Sequence, residues 1–197
     1  PDGKYIAYVS DKTGEDEIYI IPQDGTGEEI KLTSNGEGWL FYPRWSPDSK
    51  KIAYADANTN LFVLDVASRE VTVADVGEKT EIYDYSWSPD SRYLTYTKFP
   101  DKTSIRSIFL YSLDDNQVHR ITPGVTNDYS PCFDPDGKYM YFFSDRNFNA
   151  ETGGYEFNFV YNAMTGIYAM ILSDSEKSPF APESDEVSLD EDKDEDE

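Results

Sequence analysis

A single histidine, a single cysteine and a set of aspartate-rich turns are the residues of this 197-residue sequence equipped for chemistry. His119 sits in the polar segment Val118-His119-Arg120. A Ser-His-Asp relay would have to run through it, with the imidazole in reach of both a nucleophile and a carboxylate. No serine stands in the G-x-S-x-G setting that exposes such a nucleophile, so His119 reads as a solvated surface residue and no catalytic residue is assigned. The aspartates gather in Asp11-Lys12-Thr13-Gly14, Asp24-Gly25-Thr26-Gly27, Asp56-Ala57-Asn58-Thr59-Asn60 and Asp114-Asp115-Asn116. Calcium requires several oxygens converging on one point, and none of these turns follows the D-x-[DN]-x-[DN]-G spacing. Turn chemistry accounts for them, and neither a metal nor a cofactor is expected. Cys132, being alone, excludes an internal disulfide framework and a Cys-rich zinc site. Its apolar strand implies a buried thiol.

The elements that position these residues are set by a recurring turn. Trp45-Ser46-Pro47-Asp48-Ser49 returns as Trp87-Ser88-Pro89-Asp90-Ser91 and as Phe133-Asp134-Pro135-Asp136-Gly137, and Pro1-Asp2-Gly3 is its second half. The aspartates at 2, 48, 90 and 136 are 46, 42 and 46 residues apart. Proline presets the first turn dihedral, Asp bonds nearby backbone, and Gly tolerates the left-handed closure of a tight reversal. Ser49 and Ser91 replace that Gly at a cost of about 1 kcal/mol if left-handed, which leaves a different closure open for those two copies. A period of about 40–50 residues made of short strands is the signature of a β-propeller with one four-stranded blade per repeat.

The repeat runs through the strands. Ile6, Ile52, Leu94 and Met140 form one column, and Tyr8, Tyr54, Tyr96 and Phe142 another two residues on, so both share a face. The apolar runs 18–21, 61–64, 108–111 and 167–170 suit strands covered on both faces. Shorter polar segments ending at Leu32-Thr33, Val73-Ala74 and Ile121-Thr122 suit outer edges. The inner strands are then Phe41-Tyr42-Pro43-Arg44-Trp45 and Tyr83-Asp84-Tyr85-Ser86-Trp87 and their fourth-unit counterpart. Almost no helix is expected. Arg44, Ser86 and Cys132 hold equivalent inner-strand positions, which makes them candidates to line the central channel.

The fold class is therefore all-β, a partial propeller of about four four-stranded antiparallel blades, the first lacking its inner strand and the last its outer one. Residues 1–180 form it, with repeats at about 1–40, 41–82, 83–128 and 129–180 and an insertion at 145–166; 181–197 is an acidic, disordered linker. The start inside a hairpin, with no leader, reads as a fragment of a larger propeller whose open edges invite self-association. Aromatic residues make up 15% of the chain, and most fall in the blade columns. Phe148, Tyr155, Phe157, Phe159 and Tyr161 of the insertion do not, and their alternation suggests an added strand or hairpin offering a contact surface to a domain or a peptide.

Lys+Arg 17 against Asp+Glu 39 gives a net charge of −22. The stretch 183–197 holds ten acidic residues and one lysine, so −13 remains on the rest. Long-range repulsion disfavours nucleic acid and anionic membrane as partners. No apolar run approaches 18 residues, so no transmembrane helix is expected, and the compartment stays open between cytoplasm and periplasm.

The pattern W-S-P-D-[GS]-[KR]-x-[IL]-x-[YF] resembles the TolB and tricorn type of propeller repeat over nearly all of residues 1–172. A narrower resemblance rests on 143–149, on Glu156-Phe157-Asn158-Phe159-Val160-Tyr161-Asn162 and on 178–186, which look like the last blade of the second propeller of tricorn-type proteases and its charged linker. That resemblance implies a large self-associating serine peptidase whose propellers filter peptides or unfolded polypeptide, and whose PDZ-like and peptidase domains lie C-terminal to the linker. None of the family's catalytic segments precedes Glu197, so none is carried over. The competing expectations are a TolB-like protein-binding propeller and the lid propeller of a prolyl-oligopeptidase-like enzyme.

Overall fold

The computed structural model describes residues 1–34, 36–100, 103–155 and 158–182, and every regular element among them is a strand. The first sheet holds β1 (Tyr5–Ser10), β2 (Glu17–Pro22) and β3 (Ile30–Lys31) in chain order. The second holds β4 (Leu40–Trp45), β5 (Lys51–Asp56), β6 (Asn60–Asp65) and β7 (Val71–Val76). The third holds β8 (Ser86–Trp87), β9 (Tyr93–Lys98), β10 (Ser107–Ser112) and β11 (Gln117–Arg120). In the fourth, β12 (Asp128–Phe133) and β13 (Tyr139–Ser144) are joined by β16 (Gly166–Ile171). The insertion between them makes its own hairpin, β14 (Ala150–Thr152) with β15 (Phe159–Tyr161). Four antiparallel meanders of three, four, four and three strands are the partial propeller expected from the repeat.

The turns explain why the strands reverse where they do. In the second and third copies the Ser46 and Ser88 hydroxyls each donate to the aspartate two residues on, at 2.6 Å, and accept the backbone N–H of Lys51 and Tyr93 at 2.9 Å. Ser49 and Ser91 lie at φ 60° and 62°, beside 72° for Gly3 and 70° for Gly137. Serine and glycine copies thus close in the same left-handed way. The serines offset part of that strain across the blade boundary, because Ser49 Oγ accepts the N–H of Asp2 and Ser91 Oγ that of Asp48, at 3.0 and 3.1 Å.

The core lies between blades rather than within one. Ile18, Ile20, Ile52, Tyr54 and Leu64 join the first two sheets, and Ala53, Leu61, Leu94, Tyr96 and Phe109 join the next two. Ile108, Met140 and Phe142 begin the third interface. Both end faces stay open: Ile6 is 52% exposed and Ile167 66%, whereas their counterparts Ile52 and Ile108 are fully buried.

The inner strand expected at Tyr83–Trp87 pairs only through Ser86 and Trp87. Asp84 is the reason, since its Oδ1 takes the Thr97 N–H at 2.9 Å where a backbone carbonyl would continue the ladder. The expected strand is replaced there by a side-chain clamp.

Candidate functional site

The inner strands set the candidate site. In β4 and β12 the register slips, between Phe41 and Arg44 and between Tyr129 and Cys132. The slips coincide with left-handed backbone at Tyr42 and Ser130, φ 49° and 53°. Such bulges re-aim the side chains that follow them. Pro131 is buried and Cys132 is exposed, which overturns the buried thiol expected from the apolar strand. Alternation along β12 after the bulge is the physical cause.

Asp84 takes the place of Tyr42 and Ser130 in the third blade and bridges two blades, its Oδ2 accepting the Ser130 N–H at 2.9 Å. The inner strands of the second and third blades are clasped by side chains. The Tyr85 hydroxyl donates to the carbonyls of Tyr42 and Phe41 at 2.6 and 3.1 Å, and the Trp87 indole N–H donates to that of Arg44 at 3.1 Å. Burial pushes the Tyr85 phenol well above the ordinary tyrosine range, so it remains a donor.

The result is a concave opening of about 630 Å³ whose lining includes Arg44, Ser86 and Cys132 together, with Tyr83, Asp84 and Trp87 beside them. Arg44 is its only basic side chain, is exposed, and forms no salt bridge among the described residues. The Asp84 carboxylate is already committed to two backbone N–H groups. An opening walled by aromatic rings, with one unpaired guanidinium and a bulged inner backbone, can hold an extended chain and bias it by charge. Asp84 and Tyr83 were not singled out from the sequence, although the column Tyr42, Asp84, Ser130 carried the signal.

The other candidates lie elsewhere. Phe148, Tyr155, Phe159 and Tyr161 are 76%, 93%, 66% and 50% exposed, and Phe148 meets Tyr161 at 5.6 Å between ring centroids. None of them lines the opening. Phe157 and the acidic stretch 183–197 lie outside the described residues. His119 is exposed on β11, the outermost strand of its sheet. Among the described residues no three metal-ligating side chains converge, and no helix is long and apolar enough to cross a membrane.

Comparison with known proteins decides the family. Residues 1–197 match the family described as the tricorn protease second beta propeller domain. The chain belongs to that family. A putative tricorn-like protease C-terminal subunit of Sulfurisphaera tokodaii is 32% identical over 178 residues, covering 90% of this chain and 20% of the relative. The tricorn protease of Thermoplasma volcanium is 30% identical over 177 residues, covering 87% and 17%. The crystal structure of the tricorn protease superposes with a TM-score of 0.80 at 20% identity, over 89% of this chain and 18% of that one, and supports the fold. The chain thus spans 17–20% of the length of these curated relatives. It is a tricorn-type propeller.

Proposed function

We propose that this propeller is a non-catalytic part of a tricorn-like serine peptidase and conducts extended peptides through its inner-strand opening toward a catalytic domain outside these residues. The observation that carries the reading is the convergence of Arg44, Ser86 and Cys132, from three successive blades, on one aromatic-walled opening. Selection here is geometric. An extended strand can thread between inner strands, while a folded domain cannot, so the chain admits unfolded polypeptide without doing bond chemistry itself. Arg44 adds a charge preference, because an unpaired guanidinium in a chain of net charge −22 is a local attraction for acidic peptide segments. The remaining blades, the PDZ-like and peptidase domains and self-association of the whole protein belong to the same proposal.

Arg44→Gln in the full-length protein tests it. Cleavage of acidic peptides is expected to fall by about tenfold in kcat/KM, equivalent to about 1.4 kcal/mol, with neutral peptides much less affected. If peptide size and charge preference both stay as in the parent, Arg44 does not line the route.

A further inference from the structure

Every blade stacks an aromatic residue of its second strand on one of its third. The pairs are Tyr8 with Tyr19, Tyr54 with Phe62, Tyr96 with Phe109 and Phe142 with Tyr168, with ring centroids 5.7, 5.0, 6.1 and 6.0 Å apart. In three blades a basic side chain of the chain covers the third-strand ring. Lys12 Nζ lies 3.8 Å from the Tyr19 centroid, Lys98 Nζ 4.7 Å from that of Phe109, and Arg146 Cζ 4.5 Å from that of Tyr168. Each of these cations also meets a carboxylate, of Glu29, Asp75 and Asp128 respectively. The Tyr8 and Tyr96 hydroxyls donate to the first two of those carboxylates.

The second blade breaks the series. Asp56 stands where Lys98 stands in the third blade, and Asn58 where Lys12 and Arg146 stand in the first and fourth. Among the described residues no basic side chain lies over Phe62. The hairpin between β5 and β6 is also the shortest of the four, spanning only 57–59. Beside the Tyr54–Phe62 pair a cleft of about 360 Å³ opens between the first two blades, lined by Glu17, Asp56, Asn58 and Asn60 as well as both rings.

This cleft has carboxylates beside its ring pair but, among the described residues, no cation over the Phe62 ring. Glu17 and Asp56 are 3% and 7% exposed. Asp56 is fixed by the N–H and Nδ2 of Asn60, both at 2.8 Å, and Glu17 by the Thr33 hydroxyl and by Lys31 at 3.4 Å, the one opposing charge. Tyr54 is 4% exposed, and its hydroxyl has no hydrogen-bond partner among the described residues, unlike those of Tyr8 and Tyr96. Burial, then the Glu17 and Asp56 charges, push its phenol well above the usual tyrosine range, so the hydroxyl stays neutral.

We infer that this cleft takes an alkylammonium group from outside the chain, seated over Phe62, with Glu17 and Asp56 as counter-charges and Tyr54 as hydrogen-bond acceptor. The ammonium is favoured over a guanidinium because lysine serves the two other blades with tyrosine in the second strand, whereas arginine serves the blade with Phe142. A metal ion is disfavoured, since Glu17 and Asp56 are already engaged in hydrogen bonds and, although Glu37 also lines the cleft, no three metal-ligating side chains converge among the described residues, while an aromatic face suits an ammonium. Val71 and Val73, also in the lining, offer an apolar floor to the methylene stem. A lysine side chain of a polypeptide and a free diamine share this chemistry. The cleft shares no lining residue with the inner-strand opening and does not depend on the channel reading.

Calorimetry on the intact protein with Nα-acetyl-lysine amide, 1,4-diaminobutane and, as the uncharged stem, Nα-acetyl-norleucine amide tests it. Saturable binding of either amine without binding of the norleucine compound is expected, the tighter amine naming the source. Tyr54→Phe should weaken it about tenfold, the effect of losing a hydrogen bond to a charged group. Asn58→Lys, which supplies the cation internally, should abolish it. Equal binding of the norleucine compound, or an affinity unchanged by Tyr54→Phe, overturns the inference; the second result is decisive even if Asn58→Lys fails to fold.

Discussion

Ser49 and Ser91 hold a left-handed backbone that costs a residue with a Cβ about 1 kcal/mol, yet each accepts a neighbouring blade's N–H. The two effects are of similar size, since a net hydrogen bond contributes about 0.5–1.5 kcal/mol. Ser91→Gly is therefore expected to change unfolding free energy little, and Ser91→Ala to lower it by about 1 kcal/mol. Denaturant titration distinguishes them, and an alanine variant as stable as the serine parent would mean that the bond contributes nothing. At this scale the sequence was only half legible. The Pro-Asp turn announced itself because its residue types are demanded by backbone geometry. Cys132 misled, because an apolar strand does not say which of its alternating faces is covered. Its exposure makes the native thiol open to a maleimide reagent, and mass spectrometry should show one label without denaturant.

Among the elements, β4 and the chain before β9 are joined by side chains rather than by a ladder. Tyr85→Phe leaves the carbonyls of Phe41 and Tyr42 without their donor and should destabilise the protein by about 1–3 kcal/mol, with faster amide exchange in β4 and β8. A second device holds the hairpin between β6 and β7. The backbone N–H of Ser68 is the largest influence keeping the Asp65 carboxyl below its usual range, followed, against partial burial, by the Lys51 ammonium and the Ser68 hydroxyl. Because the folded value is depressed, the stability contributed is present at neutral pH and is lost as pH falls through that value. The gap in unfolding free energy between the parent and Asp65→Asn should accordingly be widest at neutral pH and narrow below about pH 4, where the unfolded carboxyl also protonates. Strands were legible wherever a column repeated. The shortened inner strand of the third blade was not, since only the structure shows the Asp84 carboxylate standing in for backbone. The cation series escaped for a related reason: Lys12 and Arg146 stand four residues past Tyr8 and Phe142, whereas Lys98 ends β9 only two past Tyr96, so their equivalence appears only once rings and charges are placed.

For the whole molecule, the two open faces matter most. Ile6 on one and Ile167 on the other are exposed where interior blades bury the same column, and an unpartnered blade face is a template for association. Light scattering on the 197-residue chain should show a mass that rises with concentration, and a monodisperse monomer at micromolar concentration would contradict this. The propeller class was legible because the 42–46-residue period is a property of the whole chain. The opening was legible only as the shared inner-strand column of Arg44, Ser86 and Cys132, and the ammonium cleft was not legible, because it lies between blades and depends on how far neighbouring units approach.

Four of the clasps between the first three blades share a direction. Ser49 reaches back to Asp2, Ser91 to Asp48, Tyr85 to Tyr42 and Trp87 to Arg44, always from a later blade onto earlier backbone. Repeat arrays grow through contacts between neighbours, and synthesis runs from the N-terminus. The second and third blades therefore emerge from the ribosome already carrying groups that fasten them to backbone made before them, which favours docking of these blades in the order in which they are translated.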